Sequence, residues 1–230
     1  MPFQPRLRSR SRPAAAGGTW LLPVEIWYAP TPDITCCVAA YQSIGVPGYA
    51  ESKWNLANIG TNDLSEGIAP GWSPVHGWQF TDAGGTYLKT GIIPDENYSY
   101  VIRFTNHDTA DVNSMFGMYG AAERSRVDLW GTGPSMIWWY GTTEENRPPI
   151  ATAGVFGLAG NQPYRNGLPD GAALAVAGWD EAAVEIYLGA VNDNGSPLYE
   201  NTVNVQAFSI YSCPLTATQM AAIMAAVAHL

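Results

Sequence analysis

Long apolar runs are missing from this chain of 230 residues. No stretch approaches the roughly 18 uninterrupted apolar residues that a bilayer-crossing helix needs, so a helical membrane span is excluded. Charge is scarce as well, at 13% Asp, Glu, Lys and Arg, and it is unbalanced: 11 basic residues against 20 acidic ones give a net charge of −9. Four of the arginines, Arg6, Arg8, Arg10 and Arg12, fall in the first twelve residues with no acid among them. Taking four positive charges from −9 leaves about −13 on the body, which repels a phosphate backbone. The body is therefore excluded as a nucleic-acid binder, and the arm reads as a solvated tail or a contact for an acidic partner surface.

Catalytic patterns are also lacking. A Glu-x-Asp-x-Glu strand would place three carboxylates on one face for glycosidic cleavage, and none is present. The nearest groups, Asp180-Glu181 with Glu185 and Glu144-Glu145, do not alternate correctly, although Glu181 would share a strand face with Glu185. No Gly-x-Ser-x-Gly elbow occurs, and His76, His107 and His229 are widely scattered. Asp82-Ala83-Gly84-Gly85-Thr86 lacks the Lys and following helix of a phosphate loop, so its glycines read as a turn. No enzymatic activity is expected. Cys36, Cys37 and Cys213 have no metal-ligand spacing and leave an odd thiol. They read as buried free thiols, with a bridge from Cys36 or Cys37 to Cys213 as the alternative. The N-terminus lacks the apolar core of a secretion signal, so export by the ordinary route is not expected.

What is present is 47% hydrophobic residues, 24 Gly and 17 Pro, the balance of a well-buried core with many turns. Residues 1–35 read as an extended, Pro-interrupted arm with an apolar strand from Trp20 to Tyr28, and residues 36–230 as one domain. Strands are predicted near Cys37–Gln42, Tyr98–Phe104, Ser114–Tyr119, Val127–Leu129, Met136–Tyr140 and Gly154–Ala159, with a hairpin from Trp78 to Leu88. Asn166-Gly167 between apolar runs predicts a type I′ turn, because both central residues need positive φ. In Val203–Tyr211 the alternation sets Val203, Val205, Ala207, Ser209 and Tyr211 on one face and Phe208 and Ile210 on the other, a strand packed on both sides. A single helix is predicted from Ala217 to His229, with Thr216 as N-cap, Gln219 as its capping-box partner, and an apolar stripe of Met220, Ile223, Met224 and Val227.

The succession Tyr164-Arg165-Asn166-Gly167, Ile186-Tyr187-Leu188-Gly189, Val203–Tyr211 and Leu215–Met220 resembles the end of laminin G-like domains of the concanavalin A-like lectin and glucanase superfamily. Gly77–Gly91 and Tyr100–Phe104 are similar to that family's hairpin and next inner strand, so the resemblance spans Val38–Leu230. It implies an all-β, antiparallel jelly-roll sandwich with an N-terminal extended arm and one C-terminal helix, on a superfold that hosts lectins, hydrolases and structural modules alike.

Two surfaces stand out as candidate sites. Trp138-Trp139-Tyr140 concentrates aromatics, and alternation turns at least one of them away from the core, where it is available to glycan. Asn106, Asp108, Asp111 and Asn113 offer hard oxygens for calcium, with Asn192-Asp193-Asn194 as a second cluster; turn formation is the favoured reading of both, so no cofactor is expected and calcium is the one the sequence leaves open. The overall expectation is a non-enzymatic structural or adhesion module of a bacteriophage virion. Arg6, Arg8, Arg10, Arg12 and Trp20 would anchor it to assembly partners or further copies, and its rim would meet cell-surface glycan. The alternatives are a free carbohydrate-binding lectin, cytoplasmic or exported by another route, and a degenerate glycoside hydrolase.

Overall fold

The computed structural model describes residues 26–109, 113–120, 126–132, 135–141, 143–175 and 184–230. In chain order its strands are β1 (Cys37–Gln42), β2 (Ser65–Ile68), β3 (Gly71–Ser73), β4 (Gly77–Phe80), β5 (Tyr87–Lys89), β6 (Ser99–Thr105), β7 (Asn113–Tyr119), β8 (Arg126–Thr132) and β9 (Ser135–Tyr140). They continue with β10 (Thr143–Arg147), β11 (Gly154–Ala159), β12 (Gln162–Arg165), β13 (Leu168–Pro169), β14 (Tyr187–Leu188), β15 (Val191–Asp193), β16 (Ser196–Leu198) and β17 (Val203–Tyr211). A single-turn helix, α1 (Tyr49–Ser52), follows β1, and α2 (Ala217–Ala228) follows β17.

The strands form two sheets. The first runs β13-β12-β11-β6-β17-β4-β3, with β1 also on β17; the second runs β10-β9-β8-β7-β14-β5-β2, with β15 on β7 and β16 on β15. All these pairings are antiparallel except β15 with β7. Between the sheets lies one aromatic-rich core that includes Trp78, Phe80, Tyr100, Phe104, Phe116, Trp138, Phe156 and Phe208. The expected all-β sandwich with a closing helix is the architecture found.

The outer face of the first sheet is covered by α2 and by residues 26–36. Thr216 caps α2 reciprocally with Gln219: the Gln219 amide donates to Thr216 Oγ1 at 3.3 Å and the Thr216 amide to Gln219 Oε1 at 2.9 Å. This satisfies two of the donors that a helix N-terminus leaves unpaired. Met220, Ile223, Met224 and Val227 are buried against Val101, Val155, Ala207 and Tyr211, together with Trp27 and Ile34 of the leading segment. Gly157 of β11 lets the helix approach this closely, since a Cβ there would meet the Met220 methyl and come within 3.0 Å of the Tyr100 carbonyl oxygen. At the other end of α2, Arg103 donates from Nη1 to the Val227 carbonyl at 3.0 Å, filling an acceptor that the last helical turn leaves open.

Four sequence expectations are corrected. The run Trp78–Leu88 is not a hairpin: β4 pairs with β17 and β3 in the first sheet, while β5 pairs with β14 and β2 in the second, so residues 81–86 cross the sandwich. The faces of β17 exchange part-way, because the pairing register shifts between Val205 and Ala207. Val203 and Val205 therefore join Phe208 and Ile210 in the intersheet core, and Ala207 and Tyr211 pack under α2. The described end of the segment expected as a leading strand, Ile26–Tyr28, is a turn, closed by the Ala29 amide on the Ile26 carbonyl. Finally, Cys36 and Cys213 are a disulfide with Cα atoms 6.0 Å apart, joining the leading segment to the β17–α2 connection. Cys37 is the free thiol, and burial pushes its pKa up to about 12, which leaves it an inert thiol. The Asn166-Gly167 turn is present with φ of 50° and 88°, and Arg165 pairs directly with Leu168 across it.

Candidate functional site

The three consecutive aromatics of β9 divide between the two sides of the second sheet. Trp138 is fully buried and its ring centroid lies 6.4 Å from that of Phe116. Tyr140 is buried too, its hydroxyl donating to the Glu96 carbonyl. Both are core side chains, which corrects their assignment to a glycan site. Only Trp139 points outward, half-buried.

Strand pairing supplies its neighbours. In β8, Leu129 lies opposite Trp138 and shares its core face, so Asp128 and Trp130 take the outer face with Trp139. Trp130 stands diagonally from Trp139 with ring centroids 6.5 Å apart, and Tyr199, just after β16, extends the row at 5.6 Å from Trp130. Both contacts are tilted, at 47° and 46°, and Tyr199 is 43% exposed. Tyr199 holds a left-handed backbone, φ 54°, a conformation that costs a non-glycine residue about 1–2 kcal/mol. It is held there by the Ser114 amide, which donates to the Tyr199 carbonyl at 2.8 Å. Sequence reading missed Tyr199, which sits some sixty residues from its partners with no local signal.

Beneath the row lies a polar floor. Asp128 is fully buried on this outer face and accepts from the Ser114 hydroxyl. Across Trp139 on the β10 side, Glu144 is exposed. Two strand spacings of about 4.8 Å place the backbones of Asp128 and Glu144 roughly 10 Å apart, with the indole of Trp139 on the strand between them. The enclosed Asp128 carboxylate is bonded as a structural group. On the same sheet, in strands β5 and β14, the Tyr87 and Tyr187 rings lie 4.7 Å apart at a 32° tilt, and Lys89 Nζ lies 5.9 and 5.8 Å from them.

The remaining candidates differ in exposure. Asn106 and Asp108 are exposed, Asn113 is buried, and Asp111 lies outside the described residues, as do Asp180 and Glu181. Among the described residues no three His, Cys, Asp or Glu side chains gather as a metal site. The Asn192–Asn194 cluster is a hairpin turn, in which Asn192 Oδ1 accepts from the Gly195 amide and Asn192 Nδ2 donates to the Glu185 carbonyl. Glu185 in turn accepts from the Gly91 amide at 2.5 Å. The arm residues Arg6, Arg8, Arg10, Arg12 and Trp20 lie outside the described residues.

No family model and no curated protein matches this chain. Solved structures do. Trypanosoma rangeli sialidase in complex with sialic acid is 14% identical, over 81% of this chain and 32% of that one, with a TM-score of 0.58. A mutant of the same sialidase displaying trans-sialidase activity is also 14% identical, over 84% of this chain and 33% of that one, with a TM-score of 0.56. Ruminococcus gnavus IT-sialidase CBM40 bound to alpha2,3 sialyllactose is 14% identical over 57% of this chain and 84% of that one, at a TM-score of 0.45. This chain spans about a third of the length of the two sialidases. At such identity what is shared is the β-sandwich fold, and a fold of this kind does not carry function with it.

Proposed function

We propose that this chain is a non-catalytic glycan-binding module whose binding surface is the row Trp139, Trp130 and Tyr199. The observation that carries the reading is the row itself: three aromatic rings in sequential contact on the outer face of a sheet whose other face is packed core. A sugar ring presents an apolar C–H face and polar edges, so it suits rings that are apolar in body and polar at the tip. Large aromatics left on a surface in a group mark an interaction site more often than chance exposure does.

The test is a glycan array followed by affinity measurements on point variants. Sialosides belong on the array as first probes, since the fold is shared with a sialidase solved in complex with sialic acid. Trp139→Ala and Tyr199→Ala are each expected to weaken binding at least tenfold while the circular dichroism spectrum stays unchanged. Full affinity in both variants, or an array with no bound glycan, refutes the proposal. The expectation of a virion component anchored by its arm, with assembly partners or self-association, finds no support in the fold or its neighbours.

A further inference from the structure

A groove of about 270 Å³ follows α2 on the outside of the first sheet, the side of the sandwich away from the aromatic row. Its floor is Val155 and Met224, one wall is Ala221, Ala225 and Ala228 of α2, and the other is the β12–β13 turn, ending in Leu168, which is 71% exposed. Among the described residues no charged side chain lines it. Its one polar side chain is already engaged, since Asn166 Oδ1 accepts from the Val155 amide at 3.0 Å. Sites for sugars and charged small molecules orient their ligands through placed polar groups. This groove has none to spare, and what it suits is an apolar side chain.

The helix beside the groove also lacks a solvent face of the ordinary kind. A helix packed on a sheet normally turns charged and polar residues to water, but no charged residue occurs from Pro214 to Ala228, and Ala225 and Ala228 are exposed. The described chain begins next to this helix. Ile26 is 52% exposed, Trp27 is buried in the cluster under α2, and Gln219 of α2 donates to Asp33. Immediately before Glu25 stand Trp20-Leu21-Leu22-Pro23-Val24, an uninterrupted apolar run. Tyr211 of β17 holds the Tyr28 carbonyl, and Val155 at the groove floor belongs to β11, two strands away, or about 10 Å across the sheet. From Trp27 back to Trp20 an extended chain reaches up to roughly 24 Å, enough to pass over a helix about 10–12 Å across. Charge acts in the same direction, because the arginines at 6, 8, 10 and 12 are drawn to a body of net negative charge.

We propose that the run Trp20–Val24 docks across α2 of its own chain and seats the Trp20 indole in the groove between Leu168 and Ala225. The indole is the largest apolar body in the run, and its single N–H can stay at the groove mouth in contact with water. The arm is then a strap that covers the uncharged helix face, and its partner is the body it leads into. The glycan row lies on the other sheet, so this proposal stands apart from the function proposed above.

The test uses the full chain with isotopically labelled methyl groups. Nuclear Overhauser cross-peaks between the Trp20 indole protons and the Ala225 and Ala228 methyls are expected. Ala225→Glu puts a carboxylate into the groove from an exposed helix position. It should abolish the cross-peak to Ala228 and speed chymotryptic cleavage after Trp20 at least tenfold, with the circular dichroism spectrum unchanged. If that variant does not fold, Leu168→Asp on the opposite wall takes its place with the same expected cleavage. Three results overturn the proposal: no cross-peak in the unmodified protein, unchanged cleavage in the variant, or cross-peaks that arise only between labelled and unlabelled copies, which would put a second chain in the groove. Because no glycan enters these measurements, a negative array leaves this result standing, and a missing cross-peak leaves the array result standing.

Discussion

The Cys36–Cys213 disulfide closes the longest covalent loop available to this chain, spanning 177 residues, so its removal should register strongly in stability. In the chain-entropy account, the bridge restricts the unfolded ensemble by an amount that grows with the logarithm of loop length, and for a loop of this size the limit is about 5 kcal/mol at 25 °C. Measured values often fall short of the limit, so a loss of roughly 3–5 kcal/mol is expected. The folded state should survive reduction, because the leading segment keeps other anchors. Tyr211 donates its hydroxyl to the Tyr28 carbonyl at 2.9 Å, the Ser212 amide donates to the Cys36 carbonyl at 2.9 Å, and Gln219 Nε2 donates to Asp33 at 2.8 Å. Trp27 and Ile34 also remain packed under α2. For a domain of this size, about 2–4 °C per kcal/mol translates the loss into a Tm lower by roughly 10 °C. The assay is urea unfolding followed by tryptophan fluorescence, with and without a phosphine reductant, on the unmodified chain and on Cys36→Ser/Cys213→Ser. The double variant leaves Cys37 as the single thiol. Thiol titration of the denatured, unreduced protein should count one group, rising to three after reduction. Three thiols before reduction, or an unfolding midpoint indifferent to reductant, would show that the bridge does not form or does not constrain the chain.

Other outcomes follow from single contacts. Gly157→Val should destabilise by about 1–3 kcal/mol, since its side chain would collide with the Met220 methyl and the Tyr100 carbonyl and lift α2; thermal melting checks this, and an unchanged Tm contradicts the close approach. Trp138→Ala should cost about 3–5 kcal/mol as a core truncation, whereas Trp139→Ala should cost far less, and equal losses would mean that the two do not face opposite sides. His107 should make the fold acid-sensitive. Burial outweighs the Asn201 bond and the nearby Asp108 charge and holds its pKa below 6.5, so the unfolded state binds the extra proton. That contribution is complete above about pH 6.5 and is lost as pH falls toward the folded-state value. The decline in unfolding free energy between pH 7.5 and 5.5 should be smaller in His107→Phe, and identical profiles would refute the assignment. Thr216→Ala should cost about 0.5–2 kcal/mol through the lost cap, measured by urea denaturation.

Of the candidate site, only Trp139 was legible in the sequence. Alternation required that Trp138 and Trp139 face opposite ways, but which of them met the core depended on which side of the second sheet the first one covers. Tyr199 joins the row through the pairing of β15 with β7 and the bond from Ser114, contacts between segments about eighty residues apart along the chain. His107 and Asn201 meet across 94 residues. Nothing in either local sequence announces the other.

The sequence by itself determined what short-range physics controls. It set the β17 span, the capped helix with its apolar stripe, and the Asn166-Gly167 turn, each written in propensity, period and cap within a dozen residues. Tertiary structure decided the rest: the register shift within β17, the separation of β4 and β5 into different sheets, the choice of Cys36 over Cys37 for Cys213, and the convergence of Trp139, Trp130 and Tyr199. The physical reason is that strand parity is a local property only until a bulge interrupts it. Pairing partners are chosen by the free energy of closing long loops and burying whole faces together, and that choice belongs to the assembled chain.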